Sequence, residues 1–217
     1  MSVITISREL GSEGDKIADR ICEALGYQRV DKDMVLHIAE EAGVDVDAVL
    51  ATERNVTSRA RLVSGAMTSL YAKQPTAFDR KTGVDDQTYT RVVHNTMKKF
   101  AQQGNTVIVG RGGQMILRDW PDALHVRLYA DPEIRAQRIA QRHGISEQEA
   151  AQRITRSDER KRQYIRHMHN NADWKSLKYY HLAIDTGHVA PPVAAQIVTL
   201  AAKETAQAQR APATIPR

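Results

Sequence analysis

Three groups of residues in this chain have types and spacing suited to holding phosphate. The first is ITISRELGSEGDKIA, Ile4 to Ala18, a β-branched run, a turn punctuated by Gly11 and Gly14, and a segment of helical period. Strand, glycine turn and helix start in that order let backbone amides curl around an anion, with the positive end of the helix dipole behind them. The phosphate-loop pattern G-x-x-x-x-G-K-[ST] adds a lysine for the terminal phosphates and a hydroxyl for magnesium. Here Arg8 stands where the first glycine belongs and Gly14 where the lysine belongs, so lysine and hydroxyl are both missing. A tight structural turn before a helix accounts for the same residues equally simply.

The second group is VIVGRGGQMIL, Val107 to Leu117, a strand ending in Gly-Arg-Gly-Gly. In a parallel sheet that strand ends beside the first one, and Arg111 then projects into the crevice where ligands bind. A guanidinium there grips a phosphate with two parallel hydrogen bonds; the alternative is an arginine on a surface turn. The third group is Arg153, Arg156, Arg160, Lys161, Arg162 and Arg166, with Asp158 inside it. Helical spacing puts Arg153, Arg156 and Arg160 on one face and Arg162 with Arg166 on another. A solvated basic helix, a phosphate clamp and an RNA surface all fit, although no RNA-binding aromatic platform or zinc module accompanies the charge. Asp31, Lys32 and Asp33 directly follow the second strand, and at least one of them caps the next helix. His167 and His169 lie two apart, a poor spacing for a metal on a helix, and the other histidines are scattered, so no metal site is assigned. Cys22, the single cysteine, shares an apolar stripe with Ile17, Ile21 and Leu25 and reads as a buried structural thiol.

The elements that must position these groups alternate along the chain. Short β-branched runs occur at Val3 to Ser7, Gln28 to Val30, Thr106 to Gly110, Leu124 to Ala130 and Leu182 to Asp185. Helical periods fill the intervals at Lys16 to Leu25, Asp33 to Ala42, Gln87 to Gln103, Pro132 to Arg142 and Val189 to Lys203. Ser146 opens a further helix, with Glu149 completing a capping box. The alternation predicts a doubly wound α/β fold with a five-stranded parallel sheet. Two stretches break it: residues 44–86, with helical pattern but no strand, and the basic stretch 145–178. Residues 1–204 read as a single domain of a 217-residue chain, and residues 205–217 as a disordered tail. A net charge of +5 favours anionic partners. No apolar run approaches the roughly 20 residues of a membrane span, so a cytoplasmic protein with no membrane partner is expected.

In their order, ISRELGSEGDKIA, YQRVDKDMV, VIVGRGGQMIL, LYADPEIRAQRIAQR, DERKRQY and YYHLAIDT resemble the P-loop nucleoside monophosphate kinases, most closely the cytidylate kinase-like family. The resemblance runs from Val3 to about Lys203. It implies ATP and Mg2+ as cofactors and phosphoryl transfer to CMP or a related acceptor, with 44–86 as the inserted acceptor-binding region and 145–178 as the lid. By position it implies that Arg8, Gly11, Ser12, Glu13, Gly14, Asp15 and Lys16 hold the donor phosphates, with Arg138 and Arg142 at the donor base. Arg111, Asp31, Asp33, Asp158 and Arg162 fall to the acceptor side, and Lys16, Arg156 and Arg160 to the transferring group. Val109 replaces the aspartate of the family's Asp-Gly-Arg. The family's own Ser-Arg-x-x-Gly-Ser-x-Gly loop is matched by Ser7, Arg8, Gly11, Ser12 and Gly14, which makes the lysine-free loop a trait of the family. A nucleotide sensor that has lost the transfer chemistry, and a nucleic-acid-binding protein, are the alternatives.

Overall fold

A computed structural model describes residues 2–31, 34 and 86–208 of the chain. Five strands form one parallel sheet: β1 (Val3–Arg8), β2 (Gln28–Val30), β3 (Thr106–Val109), β4 (Ala123–Tyr129) and β5 (Leu182–Asp185), in the order β2-β3-β1-β4-β5. β1 is central because it can be: Val3, Ile4 and Ile6 are each almost wholly buried, so both faces of the strand are covered. Pairing of Ile6 with Val109 on one side and with Val126 on the other fixes the register. The chain leaves β1 toward β3 and β2 on one side and reaches β4 and β5 on the other. The crevice of such a sheet opens at that reversal, beyond the carboxyl end of β1.

Six helices cover the sheet among the described residues: α1 (Gly14–Leu25), α2 (Asp86–Gln103), α3 (Gly113–Ile116), α4 (Pro132–His143), α5 (Glu147–Met168) and α6 (Pro191–Ala208). Alternation along the strands sorts the core. Ile4, Ile6, Val107, Val126 and Leu128 meet Ile17 and Ile21 of α1 and Ala194 and Val198 of α6. Val3 and Ile108 meet Val93, Met97 and Phe100 of α2 on the opposite face. Each fully buried aliphatic side chain of this kind contributes about 1.5–3 kcal/mol of transfer free energy. Cys22 packs half-buried against the first cluster, and burial pushes its thiol up to about 11, as suits a structural thiol.

Helix ends obey local chemistry. Pro132 opens α4, and Gly26 and Gly144 close α1 and α4 in the left-handed conformation. Ser146 accepts the Glu149 amide at 3.2 Å, and α5 then runs unbroken for 22 residues. The expected lid stretch is therefore mostly one helix, packed on α4 through Ala136, Ile139, Ala150 and Ile154. Of the tail expected to be disordered from Thr205 onward, residues 205–208 belong to α6, with the Thr205 hydroxyl donating to the Ala201 carbonyl, and residues 209–217 lie outside the described residues. The helix expected at Asp33 to Ala42, most of the insertion at 44–86, and Lys32 and Asp33 lie outside the described residues. Among those described, no helix is long and apolar enough to cross a membrane.

Candidate functional site

The first glycine loop sits at the carboxyl end of β1, held on both sides. The Glu9 amide donates to the Leu128 carbonyl at 3.1 Å, and the Gly110 amide donates to the Ile6 carbonyl at 2.9 Å. The first bond ties the loop to β4, and the second brings the Gly-Arg-Gly-Gly turn alongside it. Inside the loop the Ser12 amide and hydroxyl both donate to the Glu9 carbonyl, at 3.1 and 2.8 Å. Gly11 adopts φ 84, and a Cβ there would stand 2.8 Å from the Arg135 carbonyl oxygen. A Cβ on Gly14, the first residue of α1, would stand 2.5 Å from the Arg8 Cβ. The two glycines thus let the loop press against α4 and let Arg8 lie across the start of α1, where the first amides lack intrahelical partners. Glu13 takes the left-handed φ 58 just before α1, a conformation costly for a residue with a side chain.

The carboxylates of the loop are all neutralised locally. Glu13 accepts from Lys16 at 2.5 Å and is also paired with Arg142. Burial alone would raise the Glu13 carboxyl, yet the Lys16 hydrogen bond and the charges of Arg142, Lys16 and Arg138 outweigh it and leave the group below its ordinary value. Glu9, buried, is met by Arg127 at 2.9 Å and Arg135 at 3.5 Å. Asp15 pairs with Arg8 at 3.3 Å and Arg29 at 2.8 Å. Arg138 donates to the Gly11 carbonyl at 3.3 Å and to the Thr186 carbonyl at 2.7 Å, tying the loop to the end of β5.

Above the loop lies a cleft of about 600 Å³ into which Arg8, Lys16, Arg111, Arg142, Arg160 and Lys161 all project. Three successive residues of positive φ, Gly110, Arg111 and Gly112, turn the chain sharply after β3, and the Arg111 guanidinium lies 5.4 Å from the centre of the Tyr164 ring. Gly112 must stay bare, since a Cβ there would meet the His169 ring at 2.3 Å. Strand end, helix start and α5 therefore deliver cations to one concave, partly enclosed volume. Such a place favours multiply charged anions.

The positions expected from the sequence divide. Arg8, Gly11, Glu13, Gly14, Asp15, Lys16, Arg111, Arg142 and Arg160 line the cleft. Ser12 is buried beneath it, and Arg138 is engaged with the loop backbone behind it. Arg156 is exposed on α5 and outside the lining. Asp158 makes a two-pronged pair with the buried Arg135, at 3.2 and 3.0 Å, and Arg162 pairs with Glu159 at 2.7 Å, both away from the cleft. Asp31 accepts the Met34 amide at 3.3 Å, which is the capping role the sequence allows, and faces Arg29. Lys161 was visible only as one charge in a basic run. Its place in the cleft was signalled by nothing but the helical phase it shares with Asp158 and Ile154, residues that turn inward. Glu9 and Tyr164 were likewise unforeseen.

For Mg2+ the described residues fit poorly as direct ligands. Glu9, Glu13 and Asp15 are each committed to cations and the Ser12 hydroxyl to a carbonyl. An ion carried on polyphosphate oxygens and water does not need them.

The cytidylate kinase-like family matches residues 3–188 of the chain. A curated cytidylate kinase of Pyrobaculum arsenaticum is 32% identical over 90 residues, which is 42% of this chain and 48% of that protein. The chain thus spans about half the length of that relative. A solved structure of a protein from Eubacterium ventriosum ATCC 27560, described as uncharacterized, aligns over 94% of this chain and 99% of its own at 18% identity with a TM-score of 0.66. A shikimate kinase of Bacteroides thetaiotaomicron aligns over 95% of this chain and 98% of its own at 11% identity and a TM-score of 0.47. With the family matched from β1 to just beyond β5, across the loop, the Gly-Arg-Gly-Gly turn and α5, this chain belongs to the cytidylate kinase-like family.

Proposed function

We propose that the cleft binds ATP and transfers its γ-phosphoryl group to a nucleoside monophosphate, CMP or a related acceptor. The observation that carries this reading is the convergence of cations from β1, α1, the turn after β3, α4 and α5 over a glycine loop at a helix start. An acceptor phosphate oxygen attacks the γ-phosphorus, the bond to the bridging oxygen breaks, and ADP leaves. Little covalent work falls to the protein in such a transfer; positioning and charge neutralisation dominate. The loop amides and Arg8 hold the donor, Arg111 anchors the acceptor phosphate, and Arg160 with Lys16 meets the charge on the transferring group. Magnesium comes with the triphosphate.

A nucleotide sensor is the second reading, favoured by one observation: Lys16 is held on Glu13 and does not stand free over the loop. A nucleic-acid surface is less well supported. Arg153 and Arg162 pair with Glu149 and Glu159 of their own helix, and Arg160 and Lys161 point into the cleft. The test is a thermal-shift panel of nucleoside mono-, di- and triphosphates and of RNA, with and without magnesium. Stabilisation by ATP and by a monophosphate, additive when both are present, is expected. Stabilisation by RNA alone would overturn the reading.

A further inference from the structure

Lys161 touches the phosphate-loop backbone from the opposite wall of the cleft. Its ammonium donates to the Arg8 carbonyl at 2.6 Å, the last residue of β1, and lies 4.3 Å from the centre of the buried Trp174 ring. The Lys175 ammonium and the Arg127 guanidinium stand over the same ring, at 5.5 and 5.0 Å. The position is peculiar for a lysine. It is a strongly hydrated point charge, placed beside Arg8 and Arg127 and hydrogen-bonded, among the described residues, to a carbonyl.

We propose that Lys161 supplies from α5 the phosphate-binding charge that the loop itself lacks, exchanging the Arg8 carbonyl for a polyphosphate oxygen when the ligand enters. The inference rests on the reading of the cleft as a polyphosphate site. Geometry makes the exchange short, because the Arg8 carbonyl belongs to the loop and both ends of the exchange line the same cleft. It also gives α5 a direct stake in ligand binding, since the side chain that recognises phosphate is carried by the helix that covers the loop.

Proton linkage follows from the surroundings. The groups facing Lys161 are Arg8 of β1, Glu9 of the loop, Arg127 of β4, Asp158 of α5 and Lys175 beyond it. Burial first, then Arg8 and Arg127, push its pKa down to about 7, while Asp158 and Glu9 oppose the shift. Glu9 and Asp158 are themselves neutralised by Arg127 and Arg135, which leaves the positive neighbours in command. A bound polyphosphate reverses that balance and raises the pKa. Below about pH 7 the lysine is charged in both states and affinity is level. Above it, binding must take up a proton, and affinity falls by up to about tenfold per pH unit until the bound-state pKa is reached.

The probe is inorganic tripolyphosphate, titrated calorimetrically into the full chain between about pH 6 and pH 9, in paired buffers of different ionisation heat. Relative to Lys161→Arg, we expect the unaltered protein to lose affinity above neutrality and to take up about one more proton at pH 8. Lys161→Arg, charged throughout, is expected to show only the proton exchange of tripolyphosphate itself, which also ionises in this pH range. Lys161→Met keeps the aliphatic stem, removes the charge and is expected to bind about tenfold or more weaker at pH 6.5, likewise with only the ligand's own proton exchange. Equal affinity and equal proton uptake in the parent and a folded Lys161→Met or Lys161→Arg protein would overturn the assignment. If the parent binds no tripolyphosphate at any pH, the polyphosphate reading of the cleft fails and this inference falls with it.

Discussion

Arg111 and Glu13 show how much a single backbone conformation decides at this site. Both are non-glycine residues at positive φ, 55 and 58 respectively, and each aims a charged side chain at the cleft. On the proposal that Arg111 anchors the acceptor phosphate, Arg111→Met keeps the aliphatic stem and removes the two-pronged donor. Acceptor affinity is expected to fall roughly 30-fold or more, with ATP affinity little changed. Equal losses for donor and acceptor in equilibrium titrations would move Arg111 to the donor side. Glu13 restrains Lys16 and Arg142 as ion-pair partners. Glu13→Gln removes the negative charge from the loop, so tripolyphosphate affinity is expected to rise; a fall would show that the carboxylate positions those cations productively.

At the scale of elements, the join of β1 to α1 and the packing of α4 on α5 make the site. Gly14→Val drives a branched side chain into the Arg8 Cβ, which the β1 backbone holds in place. The expected outcome is a folded protein, because the clash is confined to the first turn of α1, that no longer responds to ATP in a thermal-shift assay. Unchanged ATP affinity would place the donor elsewhere. Ile154→Ala opens a hole between α4 and α5, and a cost of about 2–5 kcal/mol is expected from denaturant unfolding. Legibility from the sequence follows the same division. The five strands were visible because β-branched runs between turn residues leave little alternative, and the meeting of Arg111 with the first loop followed from parallel topology alone. The ion pairs were not visible. That Asp158 binds Arg135, and that Arg138 serves the Gly11 carbonyl, depends on how α4 packs on α5 and on the loop, across 23 and 127 residues of sequence separation, which no local pattern encodes. The same holds for Lys161, whose role emerged only once Trp174 and the Arg8 carbonyl were seen around it.

Over the whole molecule, the sheet carries its own sensitivity to acid. His125 of β4 is buried, with Nδ1 2.8 Å from the Thr5 hydroxyl of β1, and burial together with the charge of His181 takes its pKa down to about 4. His169, beside the Gly-Arg-Gly-Gly turn, is lowered to about 4 by burial and by His94. A depressed pKa means that the unfolded chain gains protons first as the pH drops. The stability present above the ordinary histidine value is therefore lost progressively as pH falls from about 6.5 toward 4, by up to about 3 kcal/mol for His125. His125→Gln should flatten part of that slope in a series of melting temperatures, and an unchanged slope would exclude His125 as its source. On the proposed function, the sheet holds a glycine loop, a turn arginine and the cations of a covering helix around one transferring phosphoryl group. Incubating the protein with ATP labelled at the γ-phosphorus, magnesium and each nucleoside monophosphate in turn tests that claim most directly. Label is expected in a nucleoside diphosphate, with CMP or a related monophosphate as the preferred acceptor, and none with Gly14→Val. Saturable ATP binding with no label passed to any monophosphate would contradict it.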